Sequence, residues 1–263
     1  MKVLTLVAES CDATALFSRQ SENTRFFSIV QICLVFGNRV IIMTDKYNLT
    51  LEQNIFLAKK LIAESIYNSA KLEGCNVTFP DTQTILDGIS VANVKISDVV
   101  CVLNLRDAWN FILKNLEQPF DLAFACKINA FVSRNESLEW GVLRNGNVGI
   151  SGTDYVPPTP IEESVIREIE RISNIESVTD KAIRYFLWGM RSQLFWDGNK
   201  RTSTLCANKI LIMNGKGILS VKEQDLREFN QQLTEFYNNN DYTLIEGFIY
   251  DKCIRGIDFN RSL

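Results

Sequence analysis

The sequence predicts a mainly α fold, a helical bundle that carries one small β-hairpin. Apolar residues recur at the spacing of a helix face from Leu51 to Ile66, and similar spacing returns in most of the later chain. Asn145-Gly146 lies between two short apolar runs, which is a strong local signal for a hairpin. With 263 residues, 46% of them hydrophobic, the chain can bury a sizeable core and is not a disordered protein.

The first helix is predicted over about residues 51 to 73. Thr50 and Gln53 have the spacing of a capping box, in which each side chain binds the backbone N–H of the other residue. Glu73 falls in the last turn, where the helix macrodipole disfavours a negative charge. This glutamate is therefore either an incidental surface residue or one that is positioned for a function.

The later elements follow from the same patterns. Helices are predicted at about residues 80 to 90, 96 to 117, 121 to 131, 160 to 173, 179 to 192 and 199 to 213, with one or two more in 226 to 237 and 242 to 255. Asn214-Gly215 is typical of a helix C-cap. The hairpin of residues 140 to 150 is predicted to close into a loop by residue 158, because Gly152 and Pro157-Pro158 favour turns.

Residues 1 to 42 are set apart from this pattern. The apolar run 26 to 36 is interrupted at 37 to 39, which leaves it short for a membrane helix. It also lacks the basic start and the small-residue cleavage site of a signal peptide. Two interpretations stay open: a hydrophobic segment laid on the domain, or an extension upstream of a true start at Met43. The second is favoured, which gives a domain over residues 43 to 263.

Composition limits the chemistry that this chain can perform. Its formal charge of -3 gives no global attraction to nucleic acid or to an anionic membrane, so neither is an expected partner. The chain has no histidine, which excludes histidine metal sites and histidine-containing triads. Seven cysteines without a C-x-x-C pair are typical of free thiols in a reducing cytoplasm. Any phosphate recognition must therefore come from a local cluster of charge.

Residues 193 to 202, with the sequence QLFWDGNKRT, supply such a cluster. A helix that begins just after Gly198 presents unpaired backbone N–H groups and the positive end of its dipole, which suits a phosphate. Lys200 and Arg201 add positive charge, and Asn199 can orient an oxygen. Asp197 is suited to Mg²⁺, which proteins hold with one or two carboxylates together with substrate phosphates.

The plain structural alternative for this segment is a helix-capping turn. An Asp-Gly turn followed by exposed cations is common in proteins that bind nothing, and on these residues alone that alternative is favoured. Phe195 and Trp196 are expected to pack in the core or to line the turn, and Phe195 would anchor the loop. The motif becomes specific only together with two further segments.

Three separated segments resemble the Fic family. Q-x-F-x-D-G-N-K-R at 193 to 201 resembles the family signature H-x-F-x-D/E-G-N-G/K-R, and Ser69 to Gly74 resembles the inhibitory-helix motif S/T-x-x-x-E-G/N. Residues 141 to 144, 148 to 152 and 155 to 158 resemble the flap that docks the target segment beside the nucleotide. The matches follow the family's order over about residues 48 to 215. The chain is thus identified as similar to Fic (Fido-domain) proteins.

The resemblance implies a helical Fido domain that transfers AMP from ATP, with Mg²⁺, to a Ser, Thr or Tyr hydroxyl of a target protein. It implies that Asp197 binds the metal and that phosphates are held by Gly198, Asn199, Lys200 and Arg201. It implies a target-docking flap that includes Arg144, Val148, Gly149, Ile150 and Tyr155. Helical Fido domains often dimerise, so a homodimer is compatible with the resemblance while the oligomeric state stays open.

The sequence departs from the family at two positions. The family's catalytic histidine, which deprotonates the attacking hydroxyl, falls on Gln193, and an amide cannot accept that proton. General-base assistance of roughly 10²- to 10⁴-fold should then be lost. Thr204 stands where many members carry a second arginine that pairs with the inhibitory glutamate. Glu73 is therefore expected to lack its usual partner unless Lys200 or Arg201 replaces it.

Three functions remain open at this point. In the first, the chain is a weak AMP transferase that uses Glu73 as an unconventional base, or Glu73 activates water to remove AMP from a modified target. In the second, it is a pseudoenzyme that binds a nucleotide or a protein segment without chemistry, with the flap accepting an extended peptide by strand addition. In the third, the site is a relic on a helical scaffold, which the retained segment 197 to 201 disfavours.

Overall fold

The computed structural model describes residues 43–257, and the proposed extension of residues 1–42 lies outside the described residues. The helices are α1 (Leu51–Leu72), α2 (Phe79–Leu86), α3 (Ile96–Lys114), α4 (Leu122–Val132), α5 (Glu162–Ser173), α6 (Val178–Ser192), α7 (Asn199–Met213), α8 (Leu226–Asn239) and α9 (Thr243–Phe248). A two-residue strand β1 (Ile218–Leu219) pairs antiparallel with β2 (Ile254–Arg255). Within residues 43–257, no helix combines the length and the apolar character needed to cross a membrane.

Helix α7 lies at the centre of the bundle. Nearly all of its residues from Asn199 to Ile212 are buried, including polar ones, and it packs against α1, α3, α4 and α6. Asn208 shows how its polar residues are accommodated, because its side chain donates to Leu219 O at 2.8 Å and accepts from Leu219 N at 2.9 Å. A helix that is surrounded on all sides is held rigidly, so the loop that leads into it has a fixed base.

The ends of α1 follow the sequence closely. Thr50 accepts from Gln53 N and Gln53 accepts from Thr50 N, which confirms the predicted capping box. At the other end Gly74 has φ +86°, and it donates to Lys71 O while Cys75 donates to Ala70 O, each at 3.0 Å. These two bonds are a Schellman motif, which requires a left-handed residue just after the helix. Glu73 is thereby fixed as the C-cap of α1.

The segment predicted as a β-hairpin differs from expectation. Residues 140–158 form an irregular loop without strand pairing, and the small sheet of the described chain is built by β1 and β2 instead. The physical reason is the buried Arg144, which donates to the carbonyl oxygens of Gly146, Pro157 and Pro158. The Arg144 guanidinium thus takes the place of strand-to-strand hydrogen bonds. Pro157 and Pro158 also have no N–H groups with which to form such bonds.

Candidate functional site

The loop between α6 and α7 is held by its own side chains. Gln193 ends α6 in the left-handed conformation, with φ 45° and ψ 59°, which is uncommon for a residue other than glycine. Asn199 accepts from Phe195 N at 2.9 Å and donates to Phe195 O at 2.8 Å. Phe195 itself is buried and anchors the loop, as expected. The buried Asn199 amide is therefore occupied within the loop and does not point to a ligand.

Helix α4 supports the same loop from below. Asn129 and Ser133 both donate to the backbone oxygen of Asp197, at 3.0 and 2.9 Å. Gly198 has φ +70°, and a Cβ there would lie 2.4 Å from Ser133 Oγ and 2.7 Å from a methyl group of Val132. Only glycine allows this approach. Neither Asn129 nor Ser133 was predicted as a site residue; they are four residues apart at the end of α4, where Ser133 is the C-cap.

Gln193 occupies the position of the family's histidine with both ends of its amide bonded. Nε2 donates to Met190 O at 2.7 Å, and Oε1 accepts from Asn199 Nδ2 at 3.1 Å. Its backbone oxygen accepts from Arg144 Nε. The side chain lines the cleft described below, but its hydrogen bonds go to protein groups. An amide in this state can orient a neighbouring hydroxyl and cannot take its proton.

Glu73 reaches the two cations of the loop from the end of α1. Arg201 Nε lies 3.0 Å from Glu73 Oε1, and Lys200 Nζ lies 3.3 Å from Glu73 Oε2. Lys200 Nζ also donates to Leu72 O at 3.1 Å. The structure thus supports the alternative left open for Glu73, because Lys200 and Arg201 of α7 both bind it in place of the arginine missing at position 204. Thr204 instead donates to Lys200 O at 2.8 Å, a bond within α7.

Arg201 is the most buried charge of the site, with 3% of its side chain exposed. Besides Glu73 it binds Glu136 Oε2 at 2.7 Å and donates weakly to Cys101 Sγ at 3.6 Å. Burial alone lowers the pKa of Arg201, but Glu73, Cys101 and Glu136 together raise it above its usual value. The guanidinium is thus charged at every accessible pH. Glu136 carried no sequence signal, since it lies in a turn after α4 that no motif covers.

Asp197 is the exposed carboxylate of the loop. Its side chain is 47% exposed, accepts from Gly198 N at 2.6 Å, and lies 3.8 Å from Arg201. Asp197 lines the cleft, and both of these contacts are made by the same carboxylate oxygen, Oδ1. The donor set fits Mg²⁺, which needs one or two carboxylates beside phosphate oxygens. Residues 43–257 contain no cluster of three acidic, cysteine or histidine side chains that could hold a metal alone.

The flap lies over the loop and closes one side of the site. Arg144 N donates to Leu194 O at 3.0 Å, and a Cβ at Gly146 would lie 2.6 Å from the ring of Trp196. Burial lowers the pKa of Arg144. Arg144 is therefore a structural tie between flap and loop. Tyr155 stacks under Arg191 with 3.7 Å between guanidinium and ring centre.

These elements enclose a cleft of about 700 Å³. Its lining brings together predicted and unpredicted residues: Glu73, Val148, Gly149, Ile150, Gln193, Asp197, Asn199, Lys200 and Arg201 with Cys75, Asp98, Cys101, Glu136, Trp196 and Tyr237. Gly198, Arg144 and Tyr155 do not line it. Helix α8 forms a wall that the motifs gave no reason to expect. Tyr237 on that wall has a pKa raised by burial and by the nearby charge of Glu73.

Comparison with known proteins places the chain among Fic-domain folds. Residues 119–211 match the model of a family described as the Fic/DOC family. None of the curated proteins matches the chain. That family match covers the flap and the loop, whereas Glu73 lies outside it.

Similar solved structures share the fold of the described domain. A Fic domain containing signaling protein from Bacteroides thetaiotaomicron has a TM-score of 0.65 at 19% identity, with 77% of this chain and 86% of that chain covered. A fragment of Fic-1 from C. elegans has a TM-score of 0.63 at 18% identity, with 74% and 60% covered. A Fic family protein from Desulfovibrio desulfuricans has a TM-score of 0.60 at 17% identity, with 76% and 65% covered. The chain thus spans about three fifths of the Fic-1 fragment.

Proposed function

We propose that this chain, whose residues 119–211 belong to the Fic/DOC family, binds Mg·ATP in the cleft and transfers AMP slowly to a protein hydroxyl. The observation that carries the proposal is the contact of Lys200 and Arg201 with one carboxylate, Glu73. Two cations at the start of a helix form an anion site, and a phosphate would compete with Glu73 for it. Glu73 then restricts nucleotide binding until it is displaced.

The chain's own residues would bind and orient the nucleotide. Lys200 Nζ and the partly exposed end of α7 would contact phosphate oxygens once Glu73 moves away. Asp197 would hold a magnesium ion, whose charge would offset that of the phosphates. Asn199 would act indirectly, because its amide keeps Phe195 and Gln193 in place. Positioning and charge stabilisation provide most of the catalysis in phosphoryl-type transfer.

The flap would hold the target segment. Val148, Gly149, Ile150 and Ser151 line the cleft, and none of their backbone N–H groups donates to a backbone oxygen within residues 43–257. Free backbone N–H and C=O groups can pair with an extended peptide by strand addition. A target with a Ser, Thr or Tyr side chain beside Gln193 would fit this arrangement.

The second candidate function is nucleotide or peptide binding without transfer. It is favoured by the two bonds of the Gln193 amide, which leave no proton acceptor at the histidine position. Glu73 is the carboxylate that binds both Lys200 and Arg201, and it could activate water to remove AMP only after leaving them. The two candidate functions differ in whether AMP transfer occurs once a general base is present at the site.

A transfer assay with labelled ATP and Mg²⁺ separates them. Self-modification and modification of a candidate target protein are compared for the wild type, Gln193→His, Asp197→Ala and the flap variant Asp154→Ala as a surface control. Transfer should rise by roughly 10²- to 10⁴-fold in Gln193→His, since a general base is restored. Asp197→Ala should abolish it, and Asp154→Ala should not. If Gln193→His binds nucleotide and yet transfers nothing, the binding-only function is correct.

A further inference from the structure

Two thiols line the cleft side by side. Cys75 is half-buried, Cys101 is buried, and the two side chains lie close enough for each to shift the pKa of the other. Both line the cleft, and Cys101 Sγ also accepts from Arg201 at 3.6 Å. Neither thiol has a role in the nucleotide chemistry described above.

The backbone holds Cys75 in this place from two sides. The Schellman motif of α1 fixes the chain through the bond of Cys75 N to Ala70 O. The next residue, Asn76, donates its N–H to Asp98 Oδ2 at 3.0 Å. Asp98 and Cys101 are three residues apart in α3 and therefore share a face of that helix. The turn that carries Cys75 is thus bound to the helix face that carries Cys101.

We propose that Cys75 and Cys101 form a peroxide-sensitive disulfide site beside the cleft. Cys75 gives up its proton, its thiolate attacks one oxygen of hydrogen peroxide, and the O–O bond breaks, which leaves Cys75 sulfenic acid and a hydroxide that takes up that proton to become water. The Cys101 sulfur then attacks the Cys75 sulfur, and the S–S bond forms as a second water leaves. Overall, the two thiols lose two electrons and two protons, and one peroxide becomes two waters.

The environments of the two thiols assign their order of reaction. The hydrogen bond from Cys101 lowers the pKa of Cys75, while that same bond and burial raise the pKa of Cys101. Cys75 is also the more exposed of the two. A partly exposed thiol of lowered pKa beside a second thiol is the arrangement of a redox-sensitive pair. Cys126 is a matched control, because it is also half-buried but burial raises its pKa to about 11.

The bond would restrain Glu73. Cys75 is two residues after Glu73, and Cys101 touches the arginine that Glu73 binds. A disulfide between Cys75 and Cys101 would keep the end of α1 against α3. It would therefore oppose displacement of Glu73 by a phosphate. This restraint of Glu73, which rests on the proposed function, would weaken Mg·ATP binding in the oxidised protein.

The full chain is treated with hydrogen peroxide and mapped by mass spectrometry without reduction. Wild type and Cys126→Ser should yield a linked peptide pair that contains Cys75 and Cys101, with the peptides of Cys11 and Cys33 followed separately. Cys75→Ser and Cys101→Ser should lack it, and Cys101→Ser should accumulate Cys75 sulfenic acid. A linked pair in wild type also predicts a higher unfolding temperature after oxidation, a readout that needs no variant to fold.

The proposal is overturned if wild-type Cys75 reacts no faster than Cys126, or if it stops at the sulfenic or sulfinic acid without Cys101. Calorimetry with Mg·ATP then compares oxidised and reduced wild type, with an expected several-fold loss of affinity on oxidation. Equal affinities would refute the restraint of Glu73 while leaving the disulfide site established. Absence of binding in both states, with the linked pair present, would refute the proposed function and not the disulfide.

Discussion

Arg201 donates its Nε–H to Glu73 across 3.0 Å, so the cleft lining joins the end of α1 to the start of α7 through an ion pair. Replacing Glu73 by glycine should free Lys200 and Arg201 for phosphate. We expect Glu73→Gly to bind Mg·ATP roughly ten-fold more tightly, about 1.4 kcal/mol, since an ion pair of this kind must otherwise be broken first. Titration calorimetry measures the change.

Asp87→Gly is the matched control for this variant. Asp87 ends α2 as Glu73 ends α1, and Gly88 follows it with φ +78° and the same pair of terminal bonds. The substitution therefore repeats the backbone change without touching the cleft. Equal affinities in Glu73→Gly and wild type, with Asp87→Gly unchanged, would show that Glu73 does not compete with nucleotide.

Arg144→Met should loosen the flap. The guanidinium binds four carbonyl oxygens of the flap and of Gln193, and leaving buried acceptors unpaired costs about 1–3 kcal/mol for each group. We expect a loss of about 3 kcal/mol in unfolding free energy and faster amide hydrogen exchange in residues 140–158. Arg167→Met, on the exposed face of α5, should change stability by less than about 0.5 kcal/mol. Unchanged exchange in the flap would contradict the proposed role of Arg144.

Glu246 should make stability depend on pH. Burial raises its pKa to about 7 from 4.5, although Arg184 lies 2.6 Å from its carboxylate. The folded state keeps the Glu246 proton up to a higher pH than the unfolded state does. The stability gained from this protonation is therefore complete below pH 4.5 and is lost as the pH rises to about 7. The loss is on the order of 2–3 kcal/mol.

Urea unfolding at several pH values tests this dependence. The unfolding free energy of the wild type, measured relative to that of Glu246→Gln, should fall from pH 4.5 to pH 7. The exposed Glu235→Gln serves as the control and should follow the wild type throughout. A constant difference between wild type and Glu246→Gln across that window would contradict the prediction.

Lys209 should make the stability rise with pH in the alkaline range, which is the opposite of the effect of Glu246. Its buried ammonium donates to Asn115 O at 3.0 Å and to Leu116 O at 2.6 Å, and burial lowers its pKa to about 8 from 10.5. Between pH 8 and 10.5 the unfolded state binds more protons, so stability rises with pH by on the order of 3 kcal/mol. The difference between wild type and Lys209→Met isolates this gain, because buried tyrosines and cysteines are common to both. The exposed Lys127→Met should show no such trend.

The helices were predictable because their apolar spacing is local information. Their ends were less so where a distant residue decides them. The helix expected to reach residue 117 ends at Lys114, because Lys209 from α7 takes the carbonyl oxygens of Asn115 and Leu116. Similarly, the hairpin predicted from Asn145-Gly146 does not form, because Arg144 binds the remote Gln193 oxygen and the nearby proline carbonyls in place of strand-to-strand hydrogen bonds.

The candidate site was predictable as far as its motifs reach. Glu73, Lys200 and Arg201 were named from the sequence, and the structure brings their charged groups together. The sequence did not indicate Glu136 or Tyr237, because each reaches the cleft through packing of elements far apart in the chain. Spacing rules describe one helix or one turn, and they contain no information about which turns meet.

The close contact of Gly146 with Trp196 has a consequence for chimeric proteins. A single added carbon at position 146 would lie 2.6 Å from the indole ring, so the smallest residue on the flap matches the largest on the loop. The flap and the loop are therefore sterically matched to each other at this contact. A flap grafted from a relative that carries a bulkier residue at this position would need its own loop to travel with it.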